Sequence, residues 1–518
     1  MSAPRRSAIL VTLVALFAAA GCTDAGADEP AAPTSVPASS TSVPATTAVP
    51  AEPGRPDESA PTTQAPVPAP TIVWDDCGDR LECGTLSVPQ DHDDPTGPSI
   101  TLSLARHLAD EDERIGSLLV NPGGPGSGGT YLALNATGIY ADELLDHFDI
   151  VGWDPRGTGE SVPAVDCTDD YDDYLGLDVP PDDDAELQVL IDTAERFGQA
   201  CLERSGELLQ HISTEDSARD MDLIRQALGE QTISYFGFSY GSELGSVWVT
   251  MFPETVRAAV FDGAADPTVD QLESVLQQAA GFESQLDVFL ANCSNDRDCA
   301  FHNRGGSERA FDQLLERLGR EPLVVSPDRI AVGRGVAFYA VASALYTENF
   351  WPQLERALAD AQDGDGSGLL ELYDDYLSPP WGSGNEFEAF IAISCLDDPG
   401  PQSVDEALAQ VGRFLQAAPR LGPGFAYGFE CALWPVPPVQ KVIATGVGAG
   451  PIVVIGTTGD AATPIDSTRA MANAMEDGRF VAVEANQHTG YGVNTCIVDL
   501  VSTYLIDLEP PADDTFCD

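Results

Sequence analysis

Basic residues are scarce in this chain: 25 lysines and arginines stand against 83 aspartates and glutamates, a formal net charge of −58 over 518 residues. Nucleic-acid binding rests on basic patches that neutralise phosphate, so that class of partner is excluded. The plain reading of the charge is a solvated surface that keeps the chain soluble; the sharper one is a field that attracts cationic substrates, such as peptides with free amines. Histidine is rarer still, with six in the chain, and no cysteines stand in Cys-x-x-Cys spacing or grouped with histidines. Nothing therefore points to zinc, and neither a metal nor another cofactor is expected. Nor does any stretch reach the roughly eighteen uninterrupted apolar residues of a membrane-crossing helix.

What the amino terminus does contain is an export pattern. Arg5 and Arg6 precede a short apolar run, residues 8–20, which ends at Gly21-Cys22. This reads as a lipoprotein-type signal peptide over residues 1–21, with Cys22 as the lipidated residue, although leucine is more usual where Ala19 stands; the alternative is ordinary cleavage and free secretion. Residues 22–70 are dominated by Pro, Ala, Thr and Ser, cannot bury enough apolar area to offset ordering, and read as a flexible tether. Of the 11 cysteines, setting Cys22 aside leaves ten. Connectivity cannot be deduced from sequence, but locality favours Cys77 with Cys83, Cys167 with Cys201, Cys293 with Cys299, Cys395 with Cys431, and Cys496 with Cys517. Such bridges persist in an oxidising compartment, so the protein is expected outside the cytoplasm, on the cell surface through a lipid anchor or secreted.

The chemistry centres on Gly237-Phe238-Ser239-Tyr240-Gly241, between an apolar strand pattern (233–236) and a helical one (242–249). Strand, sharp turn and helix are the setting of a nucleophile elbow, which lifts a serine oxygen above a sheet. A serine hydroxyl is a weak nucleophile, so a neutral imidazole must take its proton, and a carboxylate must hold that imidazole in the right tautomer. Two later strand patterns, 451–455 and 479–483, each run into a loop, the first carrying Asp460 and the second His488. Ser239, Asp460 and His488 thus follow the chain order of an α/β-hydrolase triad, with Asp262 and Asp266 as rival acids. Oxyanion donors are expected from the amides of Tyr240 and, in the glycine-rich turn 121–129, Gly124. That turn also satisfies Gly-x-Gly-x-x-Gly, but Pro122 and Pro125 remove amides that a dinucleotide pyrophosphate would need.

Several further motifs accompany these: Trp74, Cys77 and Cys83 with Val88-Pro89; Asn-Pro-Gly-Gly-Pro-Gly at 121–126; Asp-Pro-Arg-Gly-Thr-Gly-Glu-Ser at 154–161; Asp262-Gly263 with Asp266-Pro267; Cys-Ala-Leu-Trp-Pro at 431–435; Gly-Asp-Ala-Ala-Thr-Pro at 459–464; and His488-Thr489-Gly490. With the elbow, they resemble the tripeptidyl-aminopeptidase-like α/β-hydrolases of actinobacteria, relatives of proline iminopeptidases, from about Trp74 to the end. The resemblance implies the same triad. Glu243 departs from it, since a small or aromatic residue is expected there.

The expected fold is an α/β-hydrolase with a mostly parallel central sheet and a helical lid insertion. Residues 71–268 form the first part of the core, 269–445 the lid, and 446–518 the second part of the core. Early strands are read at 84–88, 100–105, 117–120 and 148–153, and a helix start at Ser213-Thr214-Glu215-Asp216. Arg156 and Ser161 read as architectural. The lid reads as helices at 271–290, 308–318, 336–346, 351–363, 386–394 and 404–415. Its aromatics, Tyr373, Tyr376, Trp381, Phe387, Phe425, Tyr427, Phe429 and Trp434, read as mostly core, with a few lining the substrate pocket.

Together these features describe an exported serine hydrolase that works through an acyl-enzyme, and the resemblance implies an exopeptidase that releases short peptides from free N-termini. Triad chemistry alone equally serves a carboxylesterase acting on lipid or small esters, so the substrate is a peptide or an ester. A catalytically inactive binding lipoprotein is the alternative of another class, and the intact triad speaks against it. A bound amine needs a carboxylate. Asp397 and Glu430 are the candidates, preferred to Asp374, Asp375 and Glu388 because a Cys395–Cys431 bridge would bring them together.

Overall fold

The computed structural model describes residues 70–518 apart from 379–383 and 399. The signal peptide, Cys22, the tether and Trp381 lie outside the described residues. The sheet comprises β1 (Val73–Gly78), β2 (Leu81–Pro89), β3 (Ser99–His107), β4 (Gly116–Asn121), β5 (Phe148–Trp153), β6 (Ile233–Phe238), β7 (Val256–Asp262), β8 (Ile452–Thr457), β9 (Gly478–Val483) and β10 (Thr515–Cys517). Their spatial order is β1-β2-β3-β5-β4-β6-β7-β8-β9-β10. The pairings β1–β2, β2–β3 and β3–β5 are antiparallel, and from β5 to β10 every pairing is parallel.

Strand burial follows from this layout. β4, β5 and β8 are buried at every residue, as parallel strands covered on both faces must be. Alternate side chains serve opposite faces. Leu119, Val151, Tyr235, Phe261 and Val454 pack with Met221, Ile224, Leu244 and Trp248 from the helices Thr214–Ala227 and Tyr240–Met251. Their neighbours Leu118, Val120, Phe236, Val260 and Val453 pack instead with Leu144 and Leu145 of the helix Asp142–His147 and with Ile497, Val501 and Leu505 of the helix Thr495–Asp507. The Ser213 hydroxyl caps the helix Thr214–Ala227 by accepting from the Asp216 amide.

Arg156 and Ser161 are architectural. Fully buried, Arg156 meets Asp220 with two hydrogen bonds of 2.7 Å and donates to the carbonyls of Pro89, Gln90 and His211. The Ser161 hydroxyl donates to the Asp154 carbonyl and accepts from the Ser103 amide, tying the turn after β5 to β3.

Between β7 and β8 the chain forms the helices Gln271–Asn295, Ser307–Arg320, Arg334–Leu345, Trp351–Gln362, Glu386–Asp397 and Val404–Ala417, with Ser367–Leu377 as an additional one that the sequence reading missed. They carry a core of their own, which includes Phe282, Phe289, Phe311, Leu314, Val336 and Leu354. A further unanticipated element is the long helix Asp184–Ser205 between β5 and β6, capped by the Asp183 carboxylate. The ten cysteines pair as locality favoured, with Cα–Cα distances from 4.0 to 5.7 Å.

Candidate active site

β6 ends at Phe238 and the next helix begins at Tyr240, leaving Ser239 alone in the turn at φ 54°. The flanking glycines are required by close approach: a Cβ on Gly237 would lie 2.2 Å from the Gly241 carbonyl oxygen, and one on Gly241 would lie 2.7 Å from the Asn121 carbonyl oxygen. The Ser239 amide donates to the Asp262 carbonyl at 2.8 Å, pinning the elbow to the end of β7.

Asp460 and His488, on the loops after β8 and β9, are in direct contact. His488 Nδ1 lies 2.9 Å from each Asp460 carboxylate oxygen. That carboxylate also accepts from the amides of Ala462 and Thr463 and from the Thr463 hydroxyl, all within 2.9 Å. Its orientation is therefore set by its own loop before the histidine arrives. The other ring nitrogen, Nε2, is buried and has no hydrogen-bond partner among the described residues. Burial pulls the imidazole pKa down, but the adjoining Asp460 carboxylate, with Asp262 beyond it, outweighs that effect and raises it above 6.5.

Asp262, the rival acid, does something else. Its two oxygens accept from the amides of Gly490 and Tyr491 at 2.7 Å each, so it anchors the loop just past the histidine. Burial pushes its carboxyl up to about 7 in spite of those two bonds. Asp266 lies on a different cavity, which it shares with Asp460 and Asp466.

The glycine-rich turn after β4 lies against the elbow: a Cβ on Gly123 would stand 2.9 Å from Ser239 Cβ and 3.0 Å from the Tyr240 amide nitrogen. The Gly123 amide donates to Asn121 Oδ1 at 2.9 Å, and Gly124 carries the next amide. Gly124 and Tyr240 thus sit on the two segments that flank Ser239.

Beside this turn is a cavity of about 290 Å³ whose walls include Phe338, Tyr339, Tyr376, Phe387, Phe390 and Glu430. Phe390 joins it to the turn, since a Cβ on Gly126 would lie 2.7 Å from the Phe390 amide nitrogen. Of the aromatics singled out from sequence, Tyr376, Phe387, Phe425 and Tyr427 line the cavity, whereas Tyr373 and Phe429 are core. Trp434 packs against the main core. Residues 174–177 and Leu190, Thr193 and Ala194 from the excursion between β5 and β6 also line it, a contribution that sequence reasoning missed.

Of the two acids read as amine ligands, one lines the cavity and the other does not. Glu430 lines the cavity and is the only formally charged side chain among its described lining residues. Desolvation raises its pKa. Asp397 does not line it, which corrects that assignment. Its carboxylate accepts from the Thr214 amide at 2.9 Å and the Thr214 hydroxyl at 2.5 Å, and that hydroxyl in turn meets the Tyr240 hydroxyl. Desolvation pushes the Asp397 carboxyl up to about 7 against those two bonds. The Cys395–Cys431 bridge does form, but the Asp397 carboxylate is turned to Thr214, at the start of the helix Thr214–Ala227. Glu243 has a specific partner: it lies 3.3 Å from Lys441, the only lysine in the chain.

The family model described as TAP-like protein matches residues 418–517. A curated relative from Mycobacterium tuberculosis, "Serine protease Hip1", is 34% identical over 453 residues, covering 84% of this chain and 87% of its own. A second from the same organism, "Carboxylesterase B", is 34% identical over 474 residues, covering 86% and 90%. "Tripeptidyl aminopeptidase" of Streptomyces lividans is 31% identical over 477 residues, covering 86% of each chain.

Proposed function

We propose, for a chain that belongs to the TAP-like family of α/β-hydrolases and is a serine hydrolase, that its substrates are peptides with free N-termini, from which it releases short fragments. The observation that carries this is Glu430, a lone carboxylate on an aromatic-walled cavity, with no salt bridge to a described residue. An ammonium group placed there gains a charge-assisted hydrogen bond and relieves the cost of ionising a desolvated acid.

Ser239 Oγ attacks the scissile carbonyl while His488 Nε2 takes its proton and Asp460 stabilises the resulting imidazolium. The negative oxygen of the tetrahedral intermediate accepts from the amides of Tyr240 and Gly124. Its collapse breaks the C–N bond, the imidazolium protonates the leaving amine, and the acyl group remains on Ser239. Water, deprotonated by the same imidazole, then releases the N-terminal fragment and restores the hydroxyl. Residues 269–445 serve as a lid that shapes the substrate pocket. The export pattern and the five bridges support an exported enzyme, with a lipid on Cys22 as its anchor to the membrane.

The carboxylesterase reading draws on the apolar, aromatic lining, which suits an acyl chain as well as peptide side chains. Matched peptides decide between them. Acetylation of the N-terminus is expected to cost at least about tenfold in kcat/KM, the scale of one hydrogen bond to a charged group, and Glu430→Gln is expected to abolish that preference. Equal cleavage of free and acetylated peptides by the native protein contradicts the exopeptidase reading.

A further inference from the structure

The helical insertion is tied to the histidine loop by main-chain pairing. The His488 amide donates to the Tyr346 carbonyl at 2.7 Å, and the Glu348 amide donates to the Asn486 carbonyl at 3.0 Å. Between them, Thr347 and Gln487 form an antiparallel bridge, and Asn486 Nδ2 donates to Glu348 Oε2 at 3.1 Å. A short two-stranded patch thus joins the end of the helix Arg334–Leu345 to the residues that lead into the imidazole.

The Tyr346 side chain then meets the imidazole itself, with ring centroids 5.4 Å apart and planes at 83°. From the core side, Asp460 and Thr463 approach the imidazole at Nδ1, Gly263 lies near Cε1, and Asp262 holds the following loop. A ring held chiefly at one nitrogen can still rock about that point; an aromatic packed against it adds the second restraint. Tyr346 also packs with Tyr376, with ring centroids 6.2 Å apart. Tyr376 lines the cavity next to Tyr339, whose ring is 5.7 Å away. An unbroken run of aromatic contacts therefore leads from the cavity to the base.

We propose that Tyr346 is a positioning residue through which a substrate that fills the cavity steadies His488. A group packed on Tyr339 and Tyr376 braces the Tyr376–Tyr346 pair and fixes the imidazole toward Ser239. A substrate too small to reach those rings leaves the imidazole freer. Binding energy from the remote part of the substrate is then expressed in kcat rather than KM. This rests on His488 being the base, but not on the substrate's carrying an amine.

Two activated esters test it on the full chain: para-nitrophenyl acetate, whose acyl group ends in a single methyl, and the para-nitrophenyl ester of 4-phenylbutyrate, whose acyl group ends in a ring that suits the aromatic-walled cavity. The native protein is expected to show the higher kcat with the phenylbutyrate ester. Tyr346→Leu should lower that kcat by about tenfold to a hundredfold, the cost of a misplaced catalytic group, with a smaller loss on the acetate and little change in KM. Tyr376→Leu removes the ring that links the cavity to Tyr346; it should reduce the kcat ratio between the two esters in the same direction, and it decides the matter if Tyr346→Leu fails to fold. An unchanged kcat ratio in the folded variants, or a loss confined to KM, overturns the proposal. Failure of the underlying reading looks different: esterase activity that survives Ser239→Ala or His488→Ala removes the triad, and ester turnover without peptide cleavage removes only the exopeptidase assignment.

Discussion

Replacing Asp460 by asparagine changes one atom and little volume, so its consequences can be worked from the contacts. Oδ1 accepts from the amides of Ala462 and Thr463 at 2.9 and 2.8 Å. Those two donors require an oxygen, so the new NH2 group must occupy the Oδ2 position, 2.9 Å from His488 Nδ1. The imidazole then either accepts at Nδ1, which moves its proton to Nε2 and disables it as a base, or keeps its proton facing another donor. In both cases the negative charge that stabilises the imidazolium is gone. A loss of the order of 10⁴ in kcat is expected, about 5 kcal/mol of barrier. Asp262→Asn should cost far less in rate, because that carboxylate meets backbone amides beyond the ring. Turnover of an activated ester and the rate of fluorophosphonate labelling of Ser239 report the effect, with thermal melting to show that each variant is folded. An Asp460→Asn protein within tenfold of the native rate, or an Asp262→Asn protein that is the more damaged of the two, refutes the reasoning.

Because Asp460 raises the imidazole pKa, the base form is lost earlier on acidification: kcat/KM should fall as the pH drops through a midpoint above 6.5, and a flat pH–rate profile from pH 4.5 to 8 would count against His488. Asp262, Asp397 and Glu388 each titrate at about 7 in the folded protein, well above ordinary carboxyls, chiefly through desolvation. Between about pH 4 and 7 the folded state thus holds more protons than the unfolded chain, so stability falls as pH rises, and calorimetry should record a lower Tm at pH 8 than at pH 5. A Tm that rises over that interval contradicts those assignments. Gly241→Ala would force a methyl against the Asn121 carbonyl and should abolish labelling of Ser239; retained labelling would mean the elbow is not built as described.

The elbow, the order of the triad and most insertion helices were legible because each has a local signature: a glycine-flanked serine, apolar strands ending in loops, and periods of 3.6 residues. Local signals were also present where they were missed, since Asp183 and the spacing Leu190, Ala194, Phe197, Cys201 mark the helix Asp184–Ser205. β1 and β10 lack such a signature, being largely exposed or only three residues long. Asp397 was misplaced because nearness to Cys395 in sequence says little about direction: residues two apart on a helix do not share a face. The Tyr346–His488 contact spans 142 positions and leaves no local trace. It is visible only once the insertion is folded onto the sheet.

The central claim is that Ser239, His488 and Asp460 cleave peptides from their free N-termini. Incubating the native protein with one peptide in free and N-acetylated forms, and identifying the products by mass spectrometry, tests it most directly. Short N-terminal fragments from the free peptide, with the acetylated one cleaved at least about tenfold more slowly and no products from Ser239→Ala, are the predicted result. Equal cleavage of both forms, or cuts in the interior of the acetylated peptide, would contradict it.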